Sequence, residues 1–177
     1  MPYGEVAERL AVRIVECLEE ILVSSPEAIR ISPDWIANIH RCIAGELFPD
    51  WAGKFRTMDV QVGTHLPPPS HEVPVHVSNF CLDLEERLRH LAGIESLAEL
   101  LAWVDWRFQW IHPFKDFNGR VGRILLTALL YKLKLPPVDP APVDETQRAA
   151  YLAALRAADR GDIQPLTRLW VERLSQL

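Results

Sequence analysis

The sequence, 177 residues long, is poor in cysteine, in charge of one sign and in long apolar runs. Its three cysteines, Cys17, Cys42 and Cys81, lie far apart and form no CxxC pair. That excludes a paired-cysteine zinc or redox motif, and a disulfide framework would be denser, so reduced and mostly buried thiols of a cytosolic protein are expected. The net charge of -5 argues against a chain that wraps nucleic acid, which needs an excess of Lys and Arg. The longest apolar run, Ile124 to Tyr131, is broken by Thr127. It falls far short of the ~20 residues a membrane span needs. The opening MPYGEVAERL alternates charge too early for a signal peptide. No membrane contact, no direct nucleic-acid contact and a cytoplasmic location are the expectations. Internal repeats are absent, and the only biased stretch is Pro67–Pro69.

What is present is helical periodicity. About half the residues are apolar, enough for one continuous core. Val6, Leu10, Ile14, Leu18 and Ile21 recur at spacings of four and three and mark a one-faced helix. Ser32-Pro33-Asp34 reads as an N-cap with Pro at the first helical position, leading into Ile36, Ile39, Ile43 and Leu47. A third helix is predicted from near Ser78, burying Cys81, Leu84, Leu88 and Leu91. The fourth is predicted to open with Ser96-Leu97-Ala98-Glu99, which has capping-box spacing, and to run to Ile111. A fifth, about Asn118 to Leu135, is apolar nearly all round and should be the central buried helix, stopped by Pro136-Pro137. A sixth runs from about Asp144 to Asp159 and ends at Gly161, a plausible C′ position. The last carries Leu166, Leu169, Leu174 and Leu177. One stretch departs: Val60 and Val62, then Val73, Val75 and Val77, alternate with polar residues and predict two short strands around a proline-bearing loop. The expected architecture is all-α, a helical bundle around one buried helix, with a small β-hairpin leaning on it. Residues 1–31 are expected to form an N-terminal helix packed on the core, and residues 32–177 the main domain. Trp35, Trp51 and Trp170 are candidates for an aromatic interface.

Reactive residues concentrate in His112-Pro-Phe-Lys-Asp-Phe-Asn-Gly-Arg-Val-Gly-Arg123, between the fourth and fifth helices. Pro113 disfavours helical geometry at His112, so the imidazole should sit on a loop, with Phe114 as its apolar anchor. Asn118 and Gly119 open a buried helix, where free N–H groups and the positive dipole end favour an anion. Arg120 and Arg123 are three apart and project the same way. Two cations oppose the dipole there, so a polyphosphate partner explains them better than stability does. Asp116 offers the hard oxygen that Mg²⁺ prefers, and His112 can take a proton near neutral pH.

This segment resembles the Fic family motif HPFx(D/E)GNGRxxR, matching every fixed position except Phe117, where the family usually has Gly or another small residue. Trp51-Ala-Gly-Lys-Phe-Arg56 is similar to the family's segment before its flap hairpin, and Gly161-Asp162-Ile-Gln-Pro165-Leu166 to the start of its closing helix. The likeness covers roughly residues 32–175 and implies a Fic fold and a protein adenylyltransferase, moving AMP from ATP–Mg²⁺ onto a Ser, Thr or Tyr hydroxyl of a target protein. In that carry-over His112 is the base, Asp116 holds Mg²⁺, and Phe117, Asn118, Gly119, Arg120, Gly122 and Arg123 surround the phosphates. Tyr151 falls near the nucleobase or simply packs its helix. The flap, about Asp59 to Val77, would dock the target through Thr64, His65, Leu66, His71, Glu72 and Val73. Phe117 keeps a second reading open: the same fold transferring another nucleotide or a phosphate-type group. A catalytically silent peptide-binding module is the third. The family's inhibitory pattern (S/T)xxxE(G/N) is absent, since no Glu here has Ser or Thr four positions earlier. A separate antitoxin-like partner, another mode of control, or none are all compatible with that, as are toxin, effector and housekeeping roles.

Overall fold

The computed structural model describes residues 3–176, and the expected core position of Leu177 lies outside them. Among the described residues there are seven α-helices: α1 (Tyr3–Val23), α2 (Pro33–Ala44), α3 (Val73–Arg89), α4 (Gly93–Ile111), α5 (Asn118–Lys132), α6 (Glu145–Ala158) and α7 (Gln164–Leu174). Helix α5 packs against α1, α2 and α4, while α4 packs against α3, α5 and α7. The two therefore share the centre. Val121, Ile124, Leu125, Ala128, Leu129 and Leu130 of α5 are buried, as are Leu101, Ala102, Val104, Phe108 and Ile111 of α4. The all-round apolar pattern of α5 thus has the expected consequence, and α4 is buried no less. No helix among the described residues is long and apolar enough to cross a membrane.

The cap placed by sequence at Ser32 is formed by its side chain, and the structure adds a second at Asp144. The Ser32 hydroxyl accepts from the Trp35 N–H at 3.1 Å, and Asp144 accepts from the Gln147 N–H at 2.7 Å. Gly161 follows α6 with φ +93, the left-handed geometry that glycine adopts without strain. Trp170 is fully buried in the core, so it cannot belong to an interface patch.

Three expectations are corrected. The β-hairpin is not formed, and no strand occurs among the described residues. Val73 and Val77 lie on one buried helical face and Val75 is 60% exposed on the other side. A strand would have put all three together, so the period is 3.6 and not 2. Pro74 at the start of α3 and the 3-10 turn Ser70–Glu72 before it launch the helix five residues earlier than Ser78. What remains of the hairpin is one antiparallel bridge, Val62 N–H to His65 O at 3.0 Å and the reverse at 2.9 Å. It closes around Gly63, whose φ of +59 suits the first position of a two-residue turn. The capping box at Ser96 is also displaced: α4 begins at Gly93, and the Ser96 hydroxyl reaches back to the Ala92 N–H at 2.8 Å. Finally, α5 ends at Lys132. Lys134 takes φ +59, its N–H donates to Tyr131 O, and the Leu135 N–H donates to Leu130 O, a Schellman ending with lysine where glycine is usual.

The central position of α5 sets an expectation for stability. Leu125→Ala should cost about 2–5 kcal/mol in denaturant unfolding, the range for a buried leucine leaving a cavity. Leu82→Ala, at a site 64% exposed, should cost almost nothing. Equal losses at the two sites would contradict this account of the core.

Candidate active site

The chain leaves α4 at His112, which adopts φ 48 and ψ 61, a left-handed geometry that ends the helix as Pro113 demands. Phe114 is buried completely and stacks on the buried His40, ring centroids 4.0 Å apart and planes 4° apart. His40 Nδ1 accepts from the Gly53 N–H at 2.8 Å, which puts the ring proton on Nε2. Asn118 ties the loop shut. Its Oδ1 accepts from the Phe114 N–H and its Nδ2 donates to the Phe114 carbonyl, each at 2.9 Å. Both ends of that amide are occupied by the loop, so the Asn118 side chain holds the loop and does not line the cleft beside it.

Phe117 is the position where the motif departs from the family pattern. The structure turns its ring away from the cleft, among His40, Phe48 and Trp51, with centroids 6.4, 5.6 and 5.7 Å away. The Arg120 guanidinium stands over the other face at 5.2 Å. Phe117 itself has φ 60, a strained value for any residue with a Cβ. Gly122 serves helix packing: a Cβ there would stand 3.2 Å from the Phe108 ring on α4 and 2.6 Å from the Gln109 amide.

A cleft of about 400 Å³ opens beside this loop. His112, Gly119 and Arg123 line one part of it, Thr64 and His65 of the tight turn another, and Tyr151 and Asp105 its base. Of the residues singled out in the sequence, the structure therefore brings six to one cavity: His112, Gly119, Arg123, Tyr151, Thr64 and His65. Phe117, Asn118, Arg120 and Gly122 lie outside its lining. So does Asp116, which is exposed and accepts from the Phe117 N–H through Oδ1 at 2.6 Å. Leu66 is 71% exposed, whereas His71 and Glu72 belong to the 3-10 turn before α3. Val73 is wholly buried, which removes it from any docking surface.

Burial pushes the His112 imidazole down to about 4; a hydrogen bond with the Gln109 backbone opposes the shift and the charge of Arg56 adds to it. The ring is neutral at physiological pH, the form a base requires. Asp105 moves the other way: burial raises it to about 6 against the hydrogen bond donated by the Tyr151 hydroxyl at 2.7 Å. Sequence reasoning missed Asp105, His40 and the role of Arg56. A polar residue inside an apolar helix pattern was the only signal for Asp105, and nothing local marks the other two. Among the described residues no three His, Cys, Asp or Glu side chains converge as a metal cage. Asp116, a lone exposed carboxylate beside the start of α5, fits a cation that takes its other ligands from phosphate and water.

Comparison with known proteins agrees with this geometry. The family model described as Fic/DOC family matches residues 30–130. The chain is 32% identical over 153 residues to a protein adenylyltransferase Fic of Drosophila erecta, covering 85% of this chain and 29% of that protein. It spans less than a third of that relative's length. Among solved structures, Fic-1 from C. elegans is similar at a TM-score of 0.76 and 28% identity, over 93% of this chain and 47% of that one. The BepC protein of Bartonella tribocorum, solved with bound AMPPNP, shares the fold at a TM-score of 0.77 and 17% identity, over 97% of this chain and 87% of that one.

Two outcomes follow from the loop. His40 and His112 both titrate near 4 when folded and near 6.5 when unfolded, so between those values the unfolded chain binds two protons that the native state does not. Asp105, raised to about 6, works in the opposite direction with one proton. The balance leaves roughly one proton, so native stability falls by about 1.4 kcal/mol per pH unit as pH drops through that window. A melting midpoint that holds steady or climbs from pH 6.5 to 4.5 would refute the assignment. For Phe117→Gly, relief of the left-handed backbone is worth about 1–3 kcal/mol and loss of the buried ring about 3–5 kcal/mol. The ring wins, and the variant should be less stable by about 2 kcal/mol in chemical denaturation.

Proposed function

Because the chain belongs to the Fic/DOC family, we propose that it is a protein adenylyltransferase, moving AMP from ATP to a hydroxyl of a target protein. The observation that carries this reading is the convergence of a neutral His112, the start of α5 at Gly119 and the Arg123 guanidinium on one cleft beneath the Val62–His65 turn. The activity of the relative named above motivates the choice of AMP.

In this mechanism the triphosphate lies across the first turn of α5. Backbone N–H groups at the helix start and Arg123 bind its oxygens, and Arg120 adds positive charge from above Phe117. Mg²⁺ held by the free oxygen of Asp116 would neutralise phosphate charge. The nucleobase occupies the far part of the cleft, against Tyr151 and Leu155. His112 accepts the proton of the incoming Ser, Thr or Tyr hydroxyl. That oxygen bonds to the α-phosphorus, the α–β anhydride bond breaks, and pyrophosphate leaves with the bonding pair. Little covalent help is needed, since positioning and charge carry most of such a reaction. The target chain docks at the exposed Thr64 and Leu66 beside the cleft mouth. A separate inhibitor bearing a carboxylate would reach the solvent-exposed Arg123 from outside.

The test is ATP labelled at the α-phosphate, incubated with Mg²⁺ and a cell lysate. Wild type should transfer label to protein, and His112→Ala should reduce the rate by about 10²–10⁴-fold, the contribution of a positioned base. Equal transfer by the two proteins would end the assignment of His112. Label retained only from the γ-phosphate would make the reaction phosphoryl transfer instead.

A further inference from the structure

We propose that Arg56 is a positioning residue for this reaction: its buried guanidinium fastens the main chain at His112 to the loop that carries the target-docking turn, fixing base and target in one register. The proposal rests on the transferase reading for the word reaction, but the clamp itself is a matter of geometry. The Arg56 side chain is 0% exposed. Nε donates to His112 O at 2.8 Å, and Nη2 donates to Ile111 O at 3.3 Å and to Pro68 O at 2.6 Å. Nη1 donates to Met58 O at 3.2 Å, and the Arg56 N–H itself donates to Pro113 O at 2.9 Å. One planar group therefore joins the last carbonyls of α4, the left-handed residue after it, and both ends of the segment from Met58 to Pro68 that contains Thr64 and His65.

A full charge is buried here without a buried carboxylate. The one acidic neighbour, Asp59, stands 4.0 Å away with a side chain 76% exposed. Four carbonyl oxygens, of Ile111, His112, Met58 and Pro68, solvate the cation instead. Only arginine presents donors in a rigid fork with that reach; lysine concentrates three on one atom. His65 makes a second link across the same gap, with Nε2 3.0 Å from Trp110 O. The charged and titratable groups acting on His112 are Arg56 and His65, which lower its proton affinity, and Asp116, which raises it. Arg56 thus sets the position of the imidazole through its backbone and helps to keep the ring unprotonated.

The experiment compares wild type with Arg56→Lys and Arg56→Met by three readouts: transfer of label from ATP, affinity for ADP–Mg²⁺ by calorimetry, and titration of the His112 imidazole by NMR. Arg56→Lys should lose roughly 10–100-fold in kcat, the cost of a small misplacement of a catalytic group. ADP affinity and the KM for ATP should stay essentially where they are. In Arg56→Met the His112 titration should move up toward its ordinary value as water and space reach the loop. Should Arg56→Met fail to fold, the NMR comparison is made on Arg56→Lys, where a smaller rise in the same direction is expected. An unmoved His112 titration overturns the proposal, as does a fall in ADP affinity that matches the fall in kcat. If wild type transfers no label, the transferase reading fails, while the His112 titration still decides the clamp.

Discussion

Two buried helices, α4 and α5, are joined by six residues that must leave the core and re-enter it, and that connection is the constraint on which the candidate site depends. Backbone N–H and C=O groups removed from water need partners, and helix ends leave several of them free at once. The chain meets the demand with side chains from three places. Asn118 closes the loop on Phe114, Asp116 accepts from the Phe117 N–H, and Arg56 collects the carbonyls of Ile111 and His112. Gly119, at the start of α5, lines the cleft beside this loop together with His112 and Arg123.

Strain is distributed along the same loop. His112 and Phe117 both hold left-handed geometry, and neither is glycine. Such positions persist only where the surroundings over-determine them. For His112 the surroundings are Pro113 on one side and Arg56 on the other. For Phe117 they are the aromatic rings of Phe48, Trp51 and His40, which turn a backbone liability into buried area. The departure from the family's small residue therefore alters the underside of the loop and leaves the cleft lining as it was.

The periodicity of most helices and the Ser32 cap were legible because the signals are local: Ser32 caps within three residues, and the apolar pattern of α5 repeats within each turn. The candidate-site motif was legible for the same reason, since it is one run of twelve residues, His112 to Arg123. What escaped were choices made by tertiary context. Val73, Val75 and Val77 fit either period, and the core selected the helix by burying two of them and leaving the third outside. Lys134 took a left-handed position that the sequence gives to no particular lysine, where Glu27 pairs with it at 2.6 Å. Asp105 and Arg56 become meaningful only when Tyr151 and the His112 loop are brought to them from 46 and 56 residues away.

Those separations impose an order of assembly. Helices α4 and α5 are neighbours in sequence and can pair early, at small cost in loop closure. The Arg56–His112 bond closes a loop of 56 residues, and its enthalpy is too small to hold that loop until α2 and α3 have docked. Helical content and the seating of the His112 loop therefore belong to different stages of folding. A chain that is compact and helical but has not yet seated Arg56 is a bundle whose loop after α4 is still untethered, so the geometry around His112 hangs on one long-range contact that the helices by themselves do not make.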